Sequence, residues 1–424
     1  MKRFLAGLLT LVMVAGCGVT SPGAGDIELA KANVPRLPGT AAEASSAGAA
    51  VNAFGLALYA KVAGANVSSN LVLSPASVAI ALSMARAGAR GQTATEMDAV
   101  LRDLGTDEHA AWLAALDAAL NSRTGQFKDQ GGQAQDVTLR IVNAPFAQRG
   151  LALQQAYLDA LDSRFGSGLR LVDYKAVTEQ ARTAINAWVA DQTEQRIKEL
   201  LAQGTIDDLT RLVLVNAIYL KAAWQTAFTE SATAPAPFTR LDGSTVDIPM
   251  MHTSTELGYA AGDGWRAVEL PYVGGKLSMV VIVPDDLAAF EARFDAATLG
   301  AITSGLKTTQ VVLGLPKFGT ESQLRLDDTL KALGMPTAFT PAADFSGITT
   351  EEDLFITAVI HHANIDVDEK GTEAAAATAV VMGRTSMPAE TVTLTVDHPF
   401  LFALRDVETD TILFLGRIAD PSTR

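Results

Sequence analysis

The stretch from Glu369 to Pro388 reads Glu-Lys-Gly-Thr-Glu-Ala-Ala-Ala-Ala-Thr-Ala-Val-Val-Met-Gly-Arg-Thr-Ser-Met-Pro, an unusual mixture of small and β-capable residues. Its alanines favour helix, whereas Thr378, Val380 and Val381 are β-branched and favour strand, so local propensity is divided. An alanine-rich helix and a plain loop are the simplest readings. At a period of two, however, Thr372, Ala374, Ala376, Thr378, Val380 and Met382 share one face, and none is charged. The other face carries Glu373, Ala375, Ala377, Ala379, Val381 and Gly383, charged only at its start, and no proline falls between Gly371 and Met387. Residues 372–383 therefore meet the requirements of a central strand about 40 Å long. Gly371 supplies its hinge.

Around this segment the pattern is strand-rich. Leu212 to Leu220, Trp265 to Leu270, Leu277 to Val283, Gln310 to Leu315, Phe355 to Val367, Thr391 to Val396 and Phe400 to Arg405 all read as strands. The first half reads as helices. Val51, Phe54, Ala57, Leu58 and Val62 follow helical spacing, Ser74-Pro75-Ala76-Ser77 caps a helix over Val78 to Ala87, and Thr93 caps another. Leu151 to Phe165 and Val177 to Leu201 complete the set. Helices followed by closely spaced strands predict an α+β fold rather than a doubly wound one. No second linker or repeat follows Gly48, so residues 48–424 form one domain in this reading.

The composition removes whole classes of function. With 48% hydrophobic and 19% charged residues, the 424-residue chain can bury a core. A formal charge of -14 without a basic stripe excludes nucleic acid as a partner. Cys17 is the only cysteine, so disulfide frameworks and thiolate metal clusters are excluded. Neither G-x-S-x-G nor H-E-x-x-H is present, and no nucleotide-binding glycine motif occurs. His361 and His362 are adjacent in a β-rich run and point to opposite faces, which is poor geometry for one ion. His398 precedes Pro399 and reads as a strand-entry residue. No enzyme, cofactor or metal is expected.

At the amino terminus, Lys2 and Arg3 precede a 12-residue apolar run, Phe4 to Ala15, too short to span a bilayer. It reads as an export signal, residues 1–16. The run ends in Val14-Ala15-Gly16-Cys17, which resembles the bacterial lipobox, and this implies a lipid on Cys17 after cleavage; the alternative is a coincidental cysteine in an ordinary signal. Residues 17–47, rich in Gly, Ala, Pro and Ser, read as a flexible tether. The expected location is the cell envelope, held by the lipid anchor, and Gly18 after the cysteine favours the outer membrane or the cell surface.

Beyond residue 48 the chain resembles the serpin family along nearly its whole length, as a bacterial lipoprotein-type member. The resemblance rests on Leu73-Ser74-Pro75-Ala76-Ser77, Gly88-Ala89-Arg90-Gly91-Gln92-Thr93, Asn216-Ala217-Ile218-Tyr219-Leu220-Lys221 with Trp224 and Phe228, and Leu315-Pro316-Lys317-Phe318. It continues through Ala343-Asp344-Phe345-Ser346-Gly347-Ile348, the segment at 369–388, Asp397-His398-Pro399-Phe400-Leu401-Phe402, and Ile412-Leu413-Phe414-Leu415-Gly416-Arg417-Ile418. The resemblance implies three β-sheets, eight or nine helices and an exposed reactive loop over about 369–390. It further implies suicide inhibition of a serine protease, with papain-like cysteine proteases as a further target class, by insertion of the cleaved loop into the large sheet. A monomer is expected. The alternative is a non-inhibitory member acting as a binding or surface interaction protein.

Residue roles follow from the same likeness. The hinge is Glu369, Lys370, Gly371, Thr372, Glu373, Ala374, Ala375, Ala376, Ala377 and Thr378, whose small residues retain the inhibitory pattern. Counting from Glu369 and back from Pro399 puts the reactive bond at Thr385-Ser386, with Arg384-Thr385 as the competitor. Thr385 suits elastase-like or subtilisin-like proteases, and Arg384 suits trypsin-like ones. Ser74, Ser77, Asn216 and His361 match the cluster beneath the sheet opening. Trp224, Lys317 and Glu369 match the loop-entry region. The acidic stretch from Asp98 to His109 gives no reason to expect activation by polyanions.

Overall fold

Leu212–Ala223 is buried at every position but one, the mark of a strand covered on both faces. The structure, a computed structural model, describes residues 26–373 and 391–423. Leu212–Ala223 forms the axis of a large sheet whose order runs Glu28–Ala30, Leu169–Val172, Ala134–Gln148, Leu212–Ala223, Gly371–Thr372, Ala358–Val367, Phe318–Arg325. Even-numbered residues such as Leu214, Ile218 and Leu220 enter a core shared with helix Pro75–Arg86. Odd-numbered Val213, Val215 and Ala217 enter a second core with helix Tyr174–Gln192.

The centre of this sheet is closed along part of its length and parted at one end. Leu212–Ala223 and Ala358–Val367 pair directly and in parallel from Val213 opposite Ala358 to Ile218 opposite Ala363. Beyond that, Gly371–Thr372 sits between them, antiparallel to both, with Thr372 opposite Ala222 on one side and Val367 on the other.

A second hydrogen-bonded sheet runs Thr391–Thr395, Lys307–Pro316, Thr245–Gly262, Trp265–Pro271, Leu277–Pro284, Phe400–Asp406, Ile412–Ile418, Leu71–Leu73. The expectation of three separate sheets is modified here. Thr245–Gly262 is 18 residues long; its body pairs with Ala234–Thr239 and Lys307–Pro316, and its last five residues pair with Trp265–Pro271. One strand thus joins two sheets into a continuous ladder. Among the described residues there are nine α-helices, and the fold is α+β as expected.

Three local readings need correction. The tether assigned to residues 17–47 ends early: Glu28–Ala30 is an edge strand and helix Ala41–Ala65 begins behind a capping box of Thr40 and Glu43. Alanine, glycine and serine there belong to a helix whose close neighbours need small residues; a Cβ on Gly48 would meet the Thr409 carbonyl at 2.4 Å. The helix expected over 177–201 runs Tyr174–Gln192 instead, because Asn186 binds both backbone groups of Leu201 and folds the following segment back alongside it. The helix expected from Leu151 starts at Gln155, since Leu153 forms a bridge with Thr349.

Candidate functional site

The site is the parted end of the large sheet together with the polar cluster beneath its closed part. Gly371 is the turning point. Its φ is +152°, and a Cβ there would lie 2.1 Å from the Ala222 carbonyl oxygen, so only glycine lets the chain enter between the two strands. Asp368 holds the approach: its carboxylate accepts from the N–H groups of Lys370 and Gly371 at 2.8 and 3.2 Å.

Trp224 seals the entry. Its N–H donates to the Lys370 carbonyl, its ring Nε1 donates to the Asp368 carbonyl, and its ring stacks on Tyr272 with centroids 4.4 Å apart. The Tyr272 hydroxyl is in turn 2.6 Å from Thr372 Oγ1, and burial pushes this phenol well above its ordinary pKa. Beside it, Lys317 Nζ lies 2.8 Å from Glu369 Oε2, while Thr233 donates to Glu369 Oε1 at 2.8 Å. Burial of Glu369 opposes ionisation, but the hydrogen bonds from Lys317 and Thr233 outweigh it and hold the carboxyl below its usual range. Lys317, Glu369 and Trp224 thus sit together at one end of the sheet.

Beneath the closed part, Ser74, Ser77, Asn216 and His361 converge. The Ser74 N–H donates to His361 Nε2 at 2.9 Å, which leaves Nδ1–H to donate to Asn216 Oδ1 at 2.5 Å. The imidazole thereby ties helix Pro75–Arg86 to both central strands. Desolvation, aided by neighbouring His362, lowers the His361 pKa to about 3, so the ring is neutral. Ser74 Oγ caps the helix by accepting from the Ser77 N–H, and Ser77 Oγ donates to the Ala217 carbonyl. Asn143, on the neighbouring strand, completes the group with its amide nitrogen turned toward Ser77 Oγ. The Asn216 amide nitrogen is fully buried and has no hydrogen-bond partner among the described residues.

Glu373 is the last hinge residue the structure describes. It adopts the left-handed conformation, φ 48°, with its carboxylate 3.2 Å from Arg196 Nε. Desolvation, then the Glu373 and Glu194 carboxylates, push the Tyr219 phenol up to about 12. Asn143, Thr233, Tyr272 and Arg196 were not singled out from sequence. Each gains its role from a partner remote in the chain, and no local motif marks it. Ala374, Ala375, Ala376, Ala377 and Thr378, the reactive-bond residues Arg384, Thr385 and Ser386, and the lipidation residue Cys17 lie outside the described residues.

Comparison with known proteins gives a consistent result. A family model described as Serpin (serine protease inhibitor) matches residues 49–421. An uncharacterized serpin-like protein of Thermococcus kodakarensis is 39% identical over 376 residues, covering 88% of this chain and 85% of its own length. The leukocyte elastase inhibitor of Bos taurus is 36% identical over 384 residues, covering 88% of this chain and 99% of its own. Among solved structures, uncleaved ovalbumin superposes with a TM-score of 0.78 at 25% identity, covering 88% of this chain and 99% of that one.

Proposed function

The chain belongs to the serpin family, and from that premise we propose that it is an irreversible suicide inhibitor of serine endopeptidases rather than an enzyme. The protease serine attacks the carbonyl carbon of Thr385, an ester forms, and the amine of Ser386 leaves with a proton. The freed loop then enters the large sheet and carries the acyl-enzyme with it, before water can cleave the ester. Similarity to the Bos taurus leukocyte elastase inhibitor supports this activity class.

The observation that carries the reading is the register of Gly371–Thr372. Extending this short strand by one residue steps one residue down each neighbour. Ala374, Ala376, Thr378 and Val380 then come opposite Leu220, Ile218, Asn216 and Leu214 on one side, and Ile365, Ala363, His361 and Val359 on the other. All of these neighbours are buried. Small or apolar residues fit there without leaving a charge in the core. Thr378 arrives beside the Asn216 amide nitrogen and offers the hydroxyl acceptor that this buried group lacks.

Insertion requires the direct pairing of Val213–Ile218 with Ala358–Ala363 to part and two new ladders to form in its place. The new strand contributes about 1 kcal/mol per added hydrogen bond, together with the burial of its apolar face. The uncleaved chain cannot gain this because both ends of the loop are tied, at Thr372 and at Thr391–Thr395. A barrier, not equilibrium, keeps it there.

Export and lipid attachment at Cys17 belong to the same proposal. The early end of the tether matters for it: residues 18–25 would reach only about 27 Å fully extended. The domain would therefore stand close to the membrane surface. Among the described residues no helix is long and apolar enough to cross a membrane.

The deciding test is incubation with a panel of elastase-like, subtilisin-like, trypsin-like and papain-like proteases, followed by denaturing electrophoresis. An SDS-resistant adduct with at least one protease is expected. Cleaved chain without adduct across the panel, together with equal melting temperatures before and after cleavage, would overturn the inhibitory reading and favour a non-inhibitory binding role.

A further inference from the structure

Asp26 lies at the end of the large sheet opposite the loop entry. Glu28–Ala30 is the outermost strand, with Glu28 opposite Leu171. Leu171 in turn stands opposite Ala147, and Ala147 opposite Leu212. Arg149, just past the same strand, donates to the Asp26 carbonyl and lies 3.7 Å from the Glu28 carboxylate. Whatever precedes Asp26 therefore leaves the domain near the level of Leu212. The loop entry is at the other end, where Thr372 stands opposite Ala222. From Ala222 down to Leu212 the strand covers about 33 Å. The second anchorage of the loop agrees with this placement: Thr391–Thr395 pairs with Lys307–Pro316, the strand that leads into Lys317 and its bond to Glu369.

Insertion exchanges these ends for a captured protease. In the register set by Thr372, Met382 comes opposite Leu212, and Thr385, which carries the protease as an ester, comes to rest about 10 Å beyond it. Four strand spacings, about 19 Å, separate the inserted strand from Glu28–Ala30. The ester therefore ends about 20 Å from Glu28. Residues 18–25 reach at most about 27 Å, which keeps that ester within about 50 Å of a lipid on Cys17. A protease domain of about 200 residues is itself about 40 Å across. Held there, it fills the gap between this pole and a bilayer and touches the lipid surface.

We propose that the pole formed by Asp26, Glu28 and Arg149 faces the membrane, so that the reactive loop is presented away from the bilayer and insertion moves the captured protease onto it. This rests on the inhibitory reading and on lipid attachment at Cys17, and it gives the two a common direction.

Cys17 is the only cysteine, so the mature chain, residues 17–424, can be coupled through it to maleimide lipid in phosphatidylcholine vesicles that contain a fluorescent acceptor lipid. Energy transfer to the acceptor is read from a donor-labelled protease in two states: with its nucleophilic serine replaced by alanine, which stops at the encounter complex, and active, which proceeds to the adduct. Transfer should be at least twofold higher in the adduct, and should fall when about twenty Gly/Ser residues are inserted after Gly25 to lengthen the tether. The order should reverse for Cys17→Ser/Asp247→Cys, which is coupled at the loop-entry end, where Asp247 lines one cleft with Lys317. Equal transfer in the two states, or the same order whichever end is coupled, would overturn the membrane-facing pole alone. Absence of any adduct in solution would sink the inhibitory reading, and chain extracted from the cell envelope without an acylated Cys17 would sink the lipid anchor; either takes the pole assignment with it.

Discussion

Replacing Ala376 by arginine should convert the protein from an inhibitor into a substrate while leaving the uncleaved fold intact. In the register set by Thr372, position 376 comes opposite Ile218 and Ala363, which are 1% and 0% exposed. Both neighbours are apolar, and their face of the sheet packs on helix Pro75–Arg86. A guanidinium brought there finds no carboxylate among these neighbours, and an unpaired buried ion costs several kcal/mol, taken here as about 4. If half of that is felt in the barrier to insertion, the barrier rises by about 2 kcal/mol and insertion slows roughly 30-fold. Deacylation is unaffected, so the branch that releases active protease gains by the same factor. The assay is densitometry of adduct against cleaved chain across a range of inhibitor-to-protease ratios. Melting of the cleaved variant gives a second readout that does not depend on protease kinetics. Adduct yield and melting temperature equal to those of the parent would refute the register and the insertion argument built on it.

Thr378→Val should leave the intact protein's melting unchanged but lower the stability of the cleaved form by about 1–3 kcal/mol, because the buried Asn216 amide nitrogen stays unpaired; equal melting of the cleaved forms would refute it. Glu369→Lys sets two ammonium groups about 5 Å apart, a repulsion on the order of 3 kcal/mol that solvent at the half-exposed Lys317 reduces to about 1–2. The variant should insert its loop spontaneously or polymerise on warming, and a monomer that stays fully active by size-exclusion and adduct assays would refute the assignment. His361 titrates near 3 in the folded chain and near 6.5 when unfolded, so the unfolded state binds the extra proton between these values. Stability should accordingly be intact above about pH 6.5 and fall by about 1.4 kcal/mol per pH unit toward pH 3, a slope that His361→Gln removes; equal slopes in denaturant titrations would contradict this. Mass spectrometry of a protease digest should find a carboxy-terminal fragment starting at Ser386 or Thr385, and cleavage confined to bonds outside Met382 to Met387 would refute the bond assignment.

Much of the fold was legible because its signals are local. The strands Leu212–Ala223, Leu277–Pro284 and Phe400–Asp406 are predominantly apolar, and burial on both faces writes itself into such a stretch without reference to any partner. Ala134–Gln148 and Thr245–Gly262 were missed because half or more of their residues are polar, small or exposed, so their strand character comes from neighbours supplied by distant parts of the chain. The same contrast holds within the site. Ser74, Ser77, Asn216, His361, Lys317, Glu369 and Trp224 could be named from motifs, whereas Asn143, Thr233, Tyr272 and Arg196 could not.

By itself, the amino-acid order determined the alternation of small residues after Gly371, the family resemblance and the hinge glycine, all properties of contiguous residues. Only the tertiary structure decided where the two central strands pair and where they part, because register is a relation between segments some 145 positions apart in the chain. It also turned the supposed tether at 28–47 into an edge strand and a capped helix, since a segment of weak intrinsic preference takes its conformation from the surface it is fastened to.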